Sequence, residues 1–369
     1  MRKTKEEMSP KERWLGALHM QPLDRLPFWP KLNASYPLMR KGKFRQMSLE
    51  ELHEYIGSDR HTHIPAVFTE NRTHTEIVVN ETNTERKTEY RTQVGTILMV
   101  EKFDYHSQSW HPVKHPIASI EDIRTTTALY NDVEIDLDRE ALQTAQERYD
   151  VLGGDSLAPS GIAKSALMHT VEWGAGVKNA HLLLADYPDE MTEMFEAIHR
   201  VVCEKAKIQA EHSPADALYM TENTSTTLIS PAQYMTYCYD HIVEYARICN
   251  AFDKPLILHM CGHLKALRPE LATIPARAFE AFTSPTLGNT TLLDGRVSCP
   301  ETCLVGGTNA MLWTRSTGEI ISQIERDLDA LPHERGIVVT SAGVMPPLCE
   351  PDTIREVCEW TKNRAARWN

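Results

Sequence analysis

The sequence predicts an α/β chain closed into a (β/α)8 barrel, with an N-terminal helix and an antiparallel β meander added to it. From about residue 149 onward, short apolar runs are each followed by a longer helical stretch, the pattern of βα units on a parallel sheet. Eight such runs can be placed along the chain. Its 369 residues exceed the usual span of about 100–200 for one domain but suit a single barrel. No internal repeat or low-complexity tract divides it, so residues 1–369 read as one domain.

The elements follow in order. Ser9-Pro10 caps an opening helix that places Trp14, Leu15 and Leu18 on one face, and Pro22 and Asp24 stop it. LPFW (26–29) and HIPAV (63–67) read as the first two barrel strands. Between about 73 and 110, TEIVVN, TERKTEYRT and GTILMVEKF alternate apolar and polar residues and predict the meander. The remaining barrel strands are VLGG (151–154), ALYMT (217–221), PLILHM (255–260), RAFEAF (277–282), CLVGG (303–307) and GIVVT (336–340). After Ser230-Pro231, the spacing of Met235, Cys238, Ile242, Ala246 and Cys249 predicts one amphipathic helix. A barrel places chemistry at the C-terminal ends of its strands, which directs attention to Trp29, Glu222, His259, Cys261, Phe282, Thr308 and Ser341.

Composition narrows the class. Hydrophobic residues are 41% and charged residues 24%, with 17 Gly and 21 Pro, so collagen-like, disordered and disulfide-dense classes are excluded. With 39 Lys and Arg against 51 Asp and Glu, the net charge is −12, and no basic stretch suits a phosphate backbone. Nucleic acid is therefore not an expected partner. The charged opening MRKTKEEMSPKERW lacks the apolar core of a secretory signal, and no apolar run approaches the roughly 20 residues of a membrane span. The expectation is a cytoplasmic protein whose eight cysteines are thiols.

The densest cluster of chemistry is His259-Met260-Cys261-Gly262-His263, where PLILHM runs out into a loop. Residues two apart on a strand end point the same way, so His259 and Cys261 can reach one ion, and imidazole nitrogen with thiolate sulfur suits Zn2+. The same spacing also suits a histidine hydrogen-bonded inside the barrel and a cysteine packed as a small hydrophobe. His263 reads as a polar start to the next helix. Cys299 and Cys303 have a C-x3-C spacing with no second pair to complete it, which favours a structural role.

KERWLGALHMQPLDRLPFWP resembles the opening helix and DRxP strand of the uroporphyrinogen decarboxylase superfamily, and YRTQVGTI resembles the TPxG hairpin of its methyltransferase branch. LISPAQYMTYCYDHI, the HxCG-like PLILHMCGH, the PTLGNTTL loop and TSAGVMPPLCEPDTI continue the likeness in order, from about Lys11 to Cys358. The decarboxylases carry an arginine-rich MRQAGR segment after the first strand. This chain has PKLNASYPLMRKGK there, so the clamp for tetrapyrrole carboxylates is missing.

The resemblance implies a corrinoid-dependent methyltransferase in which a His-x-Cys pair and a distant third cysteine hold zinc. His259 and Cys261 match the first two positions, but Ala342 stands where the third thiol is expected, before Gly343 and after Ser341. Glu222, at the end of ALYMT where the superfamily commonly places an acidic residue, is the first choice for another ligand and for a catalytic role with His259. Cys238 is the second choice: ether-demethylating relatives have a glutamate near its place, although it also lies on the apolar helical stripe. Cys349 is a possible displaced ligand. The implied partners are a corrinoid (cobalamin) carrier protein and a small methylated substrate, with a homodimer open. Asn223, Trp29, Tyr36, Trp110, His111 and Trp173 are candidate substrate-shaping groups. A harder Glu/His/Cys donor set favours an oxygen donor, so the expected reaction is O-demethylation of an aryl methyl ether. Transfer to coenzyme M or another thiol, porphyrinogen decarboxylation, and corrinoid binding without chemistry are the alternatives.

Overall fold

The computed structural model describes residues 7–33 and 35–369; the opening residues 1–6 and Ala34 lie outside the described residues. Helix α1 (Pro10–Leu18) starts where expected. The Ser9 hydroxyl accepts from Glu12 N at 3.2 Å, and the Glu12 carboxylate accepts from Ser9 N at 2.7 Å. The face it buries is Trp14, Ala17 and Leu18, while Leu15 is half-buried. That face packs against Ala217, Ala278, Cys303 and Val338, near the starts of four barrel strands, so α1 forms the floor of the barrel.

The barrel strands are β1 (Phe28–Lys31), β2 (Arg60–His61), β3, in two short pieces (Ser156–Leu157 and Pro159–Gly161), β4 (Ala217–Thr221), β5 (Leu256–His259), β6 (Ala278–Ala281), β7 (Cys303–Gly306) and β8 (Ile337–Val344). Seven of them form one parallel sheet in the order β1-β8-β7-β6-β5-β4-β3. β2 fills the gap. It pairs with β3 through Arg60↔Ser156 and His61↔Leu157, adds a bridge at Ile64↔Ser160, and reaches β1 through Asp59 N to Phe28 O at 2.8 Å.

Three sequence expectations need correction. VLGG is the last turn of a helix (Arg139–Leu152) and the bend after it, and the strand begins at Ser156, because Gly153, at φ +50°, ends the helix rather than extending a strand. HIPAV contributes only the bridge at Ile64, since the pairing residues precede it. The helix after Ser230-Pro231 is broken at Cys238 into Pro231–Tyr237 and α3 (Tyr239–Ala251), and Met235 is exposed. Cys238 sits at the break with its thiol turned into the buried cluster described below.

Asp59 is the electrostatic centre of the floor. Its fully buried carboxylate takes Arg25 at 2.7 and 3.0 Å, Phe28 N at 2.9 Å, and the Arg13 guanidinium. Arg13 in turn spans Asp24 with two contacts of 2.8 Å. Burial opposes the charge on Asp24, but Arg13 and the Met8 and Glu7 N–H groups outweigh it and hold the carboxyl at about 2. An unfolded aspartate titrates near 3.9, roughly, so this stabilisation is present above that pH and is lost as pH falls through about 2. The melting-temperature gap between wild type and Asp24→Asn should therefore be widest near neutrality and close toward pH 2, which thermal melts across that range will measure.

The meander is present as four successive antiparallel strands, Glu76–Glu81, Glu85–Arg91, Thr96–Asp104 and Ser109–Lys114. A separate hairpin-like pair, Phe68–Arg72 with Val133–Leu137, ties it to the barrel. Beneath it lies a cavity of about 560 Å3 whose walls include Tyr90, Met99, Tyr130, His169 and Trp173. Among the described residues, no helix is long and apolar enough to cross a membrane.

Candidate active site at the barrel mouth

Strand alternation sets the site. On β4, β5 and β6 the inward residues run from Ala217 to Tyr219, from Ile257 to His259 and from Ala278 to Glu280. The lower layer is apolar and rests on the floor, whereas the upper layer is polar and gathers on Glu280. One Glu280 oxygen accepts from His259 Nδ1 at 2.9 Å and from Lys31 Nζ, and the other accepts from the Tyr219 hydroxyl. Burial opposes the charge on Glu280, yet Lys31 and His259 hold its carboxyl well below the usual carboxylate range.

Cys261 follows two residues beyond His259. Burial alone would depress protonation of His259 and raise the Cys261 thiol. Glu280 and the Cys261 contact instead raise His259, and His259 with Lys31 lowers Cys261. The field thus draws a proton toward the imidazole and away from the thiol. Anchoring Nδ1 on a carboxylate leaves Nε2 as the free donor, the support a metal-binding histidine usually has.

The end of β4 curls over this pair. Glu222 N and Asn223 N both donate to His259 O, at 2.9 and 3.0 Å, and Asn223 takes a left-handed φ of 55°. That turn brings the Asn223 amide oxygen to 3.4 Å from Cys261 Sγ, while its nitrogen donates to Glu172 at 3.1 Å. Lys164 Nζ holds the other Glu172 oxygen at 3.0 Å. Phe282 after β6 (φ 59°) and Ala342 on β8 (φ 50°) are also left-handed, so such non-glycine residues recur at the mouth, where uncommon backbone accompanies function. Ala342 offers no donor side chain.

The structure does not bring all four expected ligands together. Glu222 turns away from the mouth and is fully buried, accepting from Ser165 N at 2.9 Å, from the Ser165 hydroxyl, and from the Cys238 thiol at 3.5 Å. Among the described residues, neither Glu222 nor Cys238 completes a cluster of three donors with His259 and Cys261. Burial, only partly offset by Ser165, pushes the Glu222 carboxyl up to about 7. Its unfolded value is near 4.3, roughly, so the wild type loses stability as pH rises from there to about 7. Glu222→Gln removes that loss: it should gain on the wild type across this window in thermal melts and keep the same zinc content.

Other expected residues lie apart from the mouth. Tyr36 is buried in the core with its hydroxyl on Cys349 O at 2.7 Å, so it is a packing residue, and Cys349 is buried beside it. Trp110 packs on Phe103 and under the Arg86 guanidinium, and His111 bonds Ser107 and Ser109, both on the meander's last strand. Trp173 lines the cavity beneath the meander. Cys299 and Cys303 are buried around Arg296, which bonds backbone carbonyls nearby, including Cys299 O. Thr308, in the loop after β7, donates to Thr340 O on β8, Ser341 donates to Gly343 O within β8, and His263 N donates to the Ser225 hydroxyl between two loops.

Trp29 does face the mouth. It lines a cavity of about 330 Å3 with Lys31, His61, His63, Tyr219 and His259, the lower end of the roughly 300–1,000 Å3 typical of small-molecule sites. Trp29 packs at a tilt of 36° on His61, 4.3 Å between ring centres, and His63 meets Tyr219 edge-on at 5.0 Å. Burial keeps both histidines below their ordinary value and so neutral near pH 7. Glu280, Lys31, Tyr219, His61 and His63 were not foreseen as site residues. Glu280 had a signal, since a carboxylate inside RAFEAF must find a buried partner.

A parallel barrel with a polar, charge-paired layer at its strand ends defines an α/β-barrel protein of the enzyme type. Residues 99–364 match the family model described as uroporphyrinogen decarboxylase (URO-D), and the chain belongs to that family. No curated protein matches it. Among solved structures, a methyltransferase from Methanosarcina mazei aligns over 97% of this chain and 99% of its own, with a TM-score of 0.59 and 14% identity. A putative vitamin-B12 independent methionine synthase from Listeria monocytogenes aligns over 57% of this chain and 65% of its own, with a TM-score of 0.38 and 14% identity.

Proposed function

We propose that this chain is a zinc-dependent methyltransferase that moves a methyl group from a small methylated donor, an aryl methyl ether, to a corrinoid held by a partner protein in the cytoplasm. The observation that carries the reading is the Cys261–His259–Glu280–Lys31 series at the barrel mouth. The likeness of fold to the Methanosarcina methyltransferase over almost all of both chains supports it.

His259 and Cys261 fit zinc in donor chemistry, with an imidazole nitrogen and a thiol of lowered pKa side by side. The Asn223 oxygen, 3.4 Å from Sγ, stands about one tetrahedral edge away. Zinc bound there would supply Lewis acidity toward the oxygen from which the methyl group departs. Glu280 fixes the His259 tautomer, Lys31 balances the Glu280 charge, and Tyr219 holds the second carboxylate oxygen. Trp29, with neutral His61 and His63, gives an aromatic wall that suits a methoxylated ring. With no thiol at Ala342, the site is less thiol-rich than a three-donor His/Cys/Cys set, which suits an oxygen donor. Elemental analysis of chelator-free protein tests the metal: His259→Ala should lower zinc by about one equivalent per chain, and an unchanged content would overturn the assignment.

A further inference from the structure

A second group of donors lies far from the mouth, on the helical layer. Helix α2 (Pro188–His212) leads into β4 and α3 (Tyr239–Ala251) leads into β5, and the two pack against each other. His199 and Cys203 are four residues apart on α2, so they share one face, and Glu244 meets them from α3. His199 Nε2 is 3.0 Å from Glu244 Oε2, and Cys203 Sγ lies beside the ring, 3.6 Å from Nε2 and 3.8 Å from Nδ1. Zinc bonds of about 2.0–2.3 Å give tetrahedral edges of roughly 3.3–3.6 Å; with the three donor atoms within 4.8 Å of one another, a small turn of the half-exposed Glu244 and of the His199 ring brings them to such edges.

The surroundings match. His199 Nδ1 is held by the buried Tyr245 hydroxyl at 2.8 Å, which orients the ring and leaves Nε2 as the donor atom. The His241 ring lies parallel to His199 at 3.8 Å between centres, anchored on Glu196 through Nε2 at 3.2 Å. His241 is nine-tenths buried, and its Nδ1 has no hydrogen-bond partner. The Glu244 side chain is 56% exposed, so an ion can enter from solvent and keep water at the fourth position.

We propose that His199, Cys203 and Glu244 form a second zinc site, a structural clamp joining the two helices that deliver β4 and β5 to the active site. Imidazole, thiolate and carboxylate together select Zn2+ over Mg2+ or Ca2+. Binding releases the thiol proton, leaves the imidazole proton on Nδ1, where the Tyr245 hydroxyl oxygen accepts it, and opens the 3.0 Å histidine–glutamate contact to admit the ion.

The test uses full-length Cys261→Ser protein, which lacks the mouth thiolate, stripped with chelator and titrated anaerobically with Co2+ and then Zn2+. The expected result is a thiolate-to-cobalt charge-transfer band at about one equivalent, displaced by zinc, and a melting temperature that zinc raises and chelator lowers. Adding Cys203→Ser removes the band, while Glu244→Gln, a change at an exposed side chain, keeps the fold and weakens cobalt binding by about tenfold or more. A folded Cys261→Ser chain without the band, or a band that survives Cys203→Ser, overturns the proposal. Neither result touches the mouth, which is read separately from the zinc lost in His259→Ala.

Discussion

Replacing Cys261 by serine should lower methyl transfer by about 100-fold or more while the barrel stays folded, because the change removes the sulfur donor and leaves the support behind it. Cys261 lies beyond the end of β5 and is only partly buried, so the loss of one sulfur costs little packing. His259→Ala should be as damaging to activity, with a larger effect on stability. Its loss leaves the Glu280 carboxylate buried with Lys31 and Tyr219 as its remaining partners. Circular dichroism and thermal melts separate the two consequences. Equal activity of Cys261→Ser and wild type would remove the thiol from the reaction.

The largest stability effect is expected at the barrel floor. Asp59→Ala removes the buried carboxylate that the Arg13 and Arg25 guanidinium groups share and deprives Phe28 N of its acceptor, so it should cost about 3–5 kcal/mol. Denaturant unfolding measures this as a fall in midpoint at unchanged slope. The DRxP segment that marks the family likeness acts here through Asp24 on Arg13 and Arg25 on Asp59, which is scaffold rather than chemistry. A loss below about 1 kcal/mol would show that other contacts hold α1, β1 and β2 together.

Much of this was legible in the sequence because the signals were local. The Ser9-Pro10 cap, the alternation of TEIVVN and the apolar runs of β4 to β8 each follow from the residues that form them. The third strand was misplaced because VLGG and the true strand lie a few residues apart, and only the turn at Gly153 separates helix from sheet. His259, Cys261 and Trp29 could be placed at the mouth from strand ends alone. Glu222 lies apart from the His259–Cys261 pair for a reason no spacing reveals: the backbone turns at Asn223, which sends neighbouring side chains to opposite sides. Glu280 and Lys31 were missed because their pairing joins residues remote in sequence across the barrel.

The most direct test is an anaerobic incubation of the wild-type, zinc-loaded protein with a methoxy-labelled aromatic ether and cobalamin reduced to its cobalt(I) state, followed by mass analysis of both products. The account predicts labelled methylcobalamin together with the free phenol, at a rate that falls by about 100-fold or more in Cys261→Ser. Absence of labelled methylcobalamin with oxygen, sulfur and nitrogen methyl donors alike, or release of carbon dioxide from a porphyrinogen instead, would contradict it.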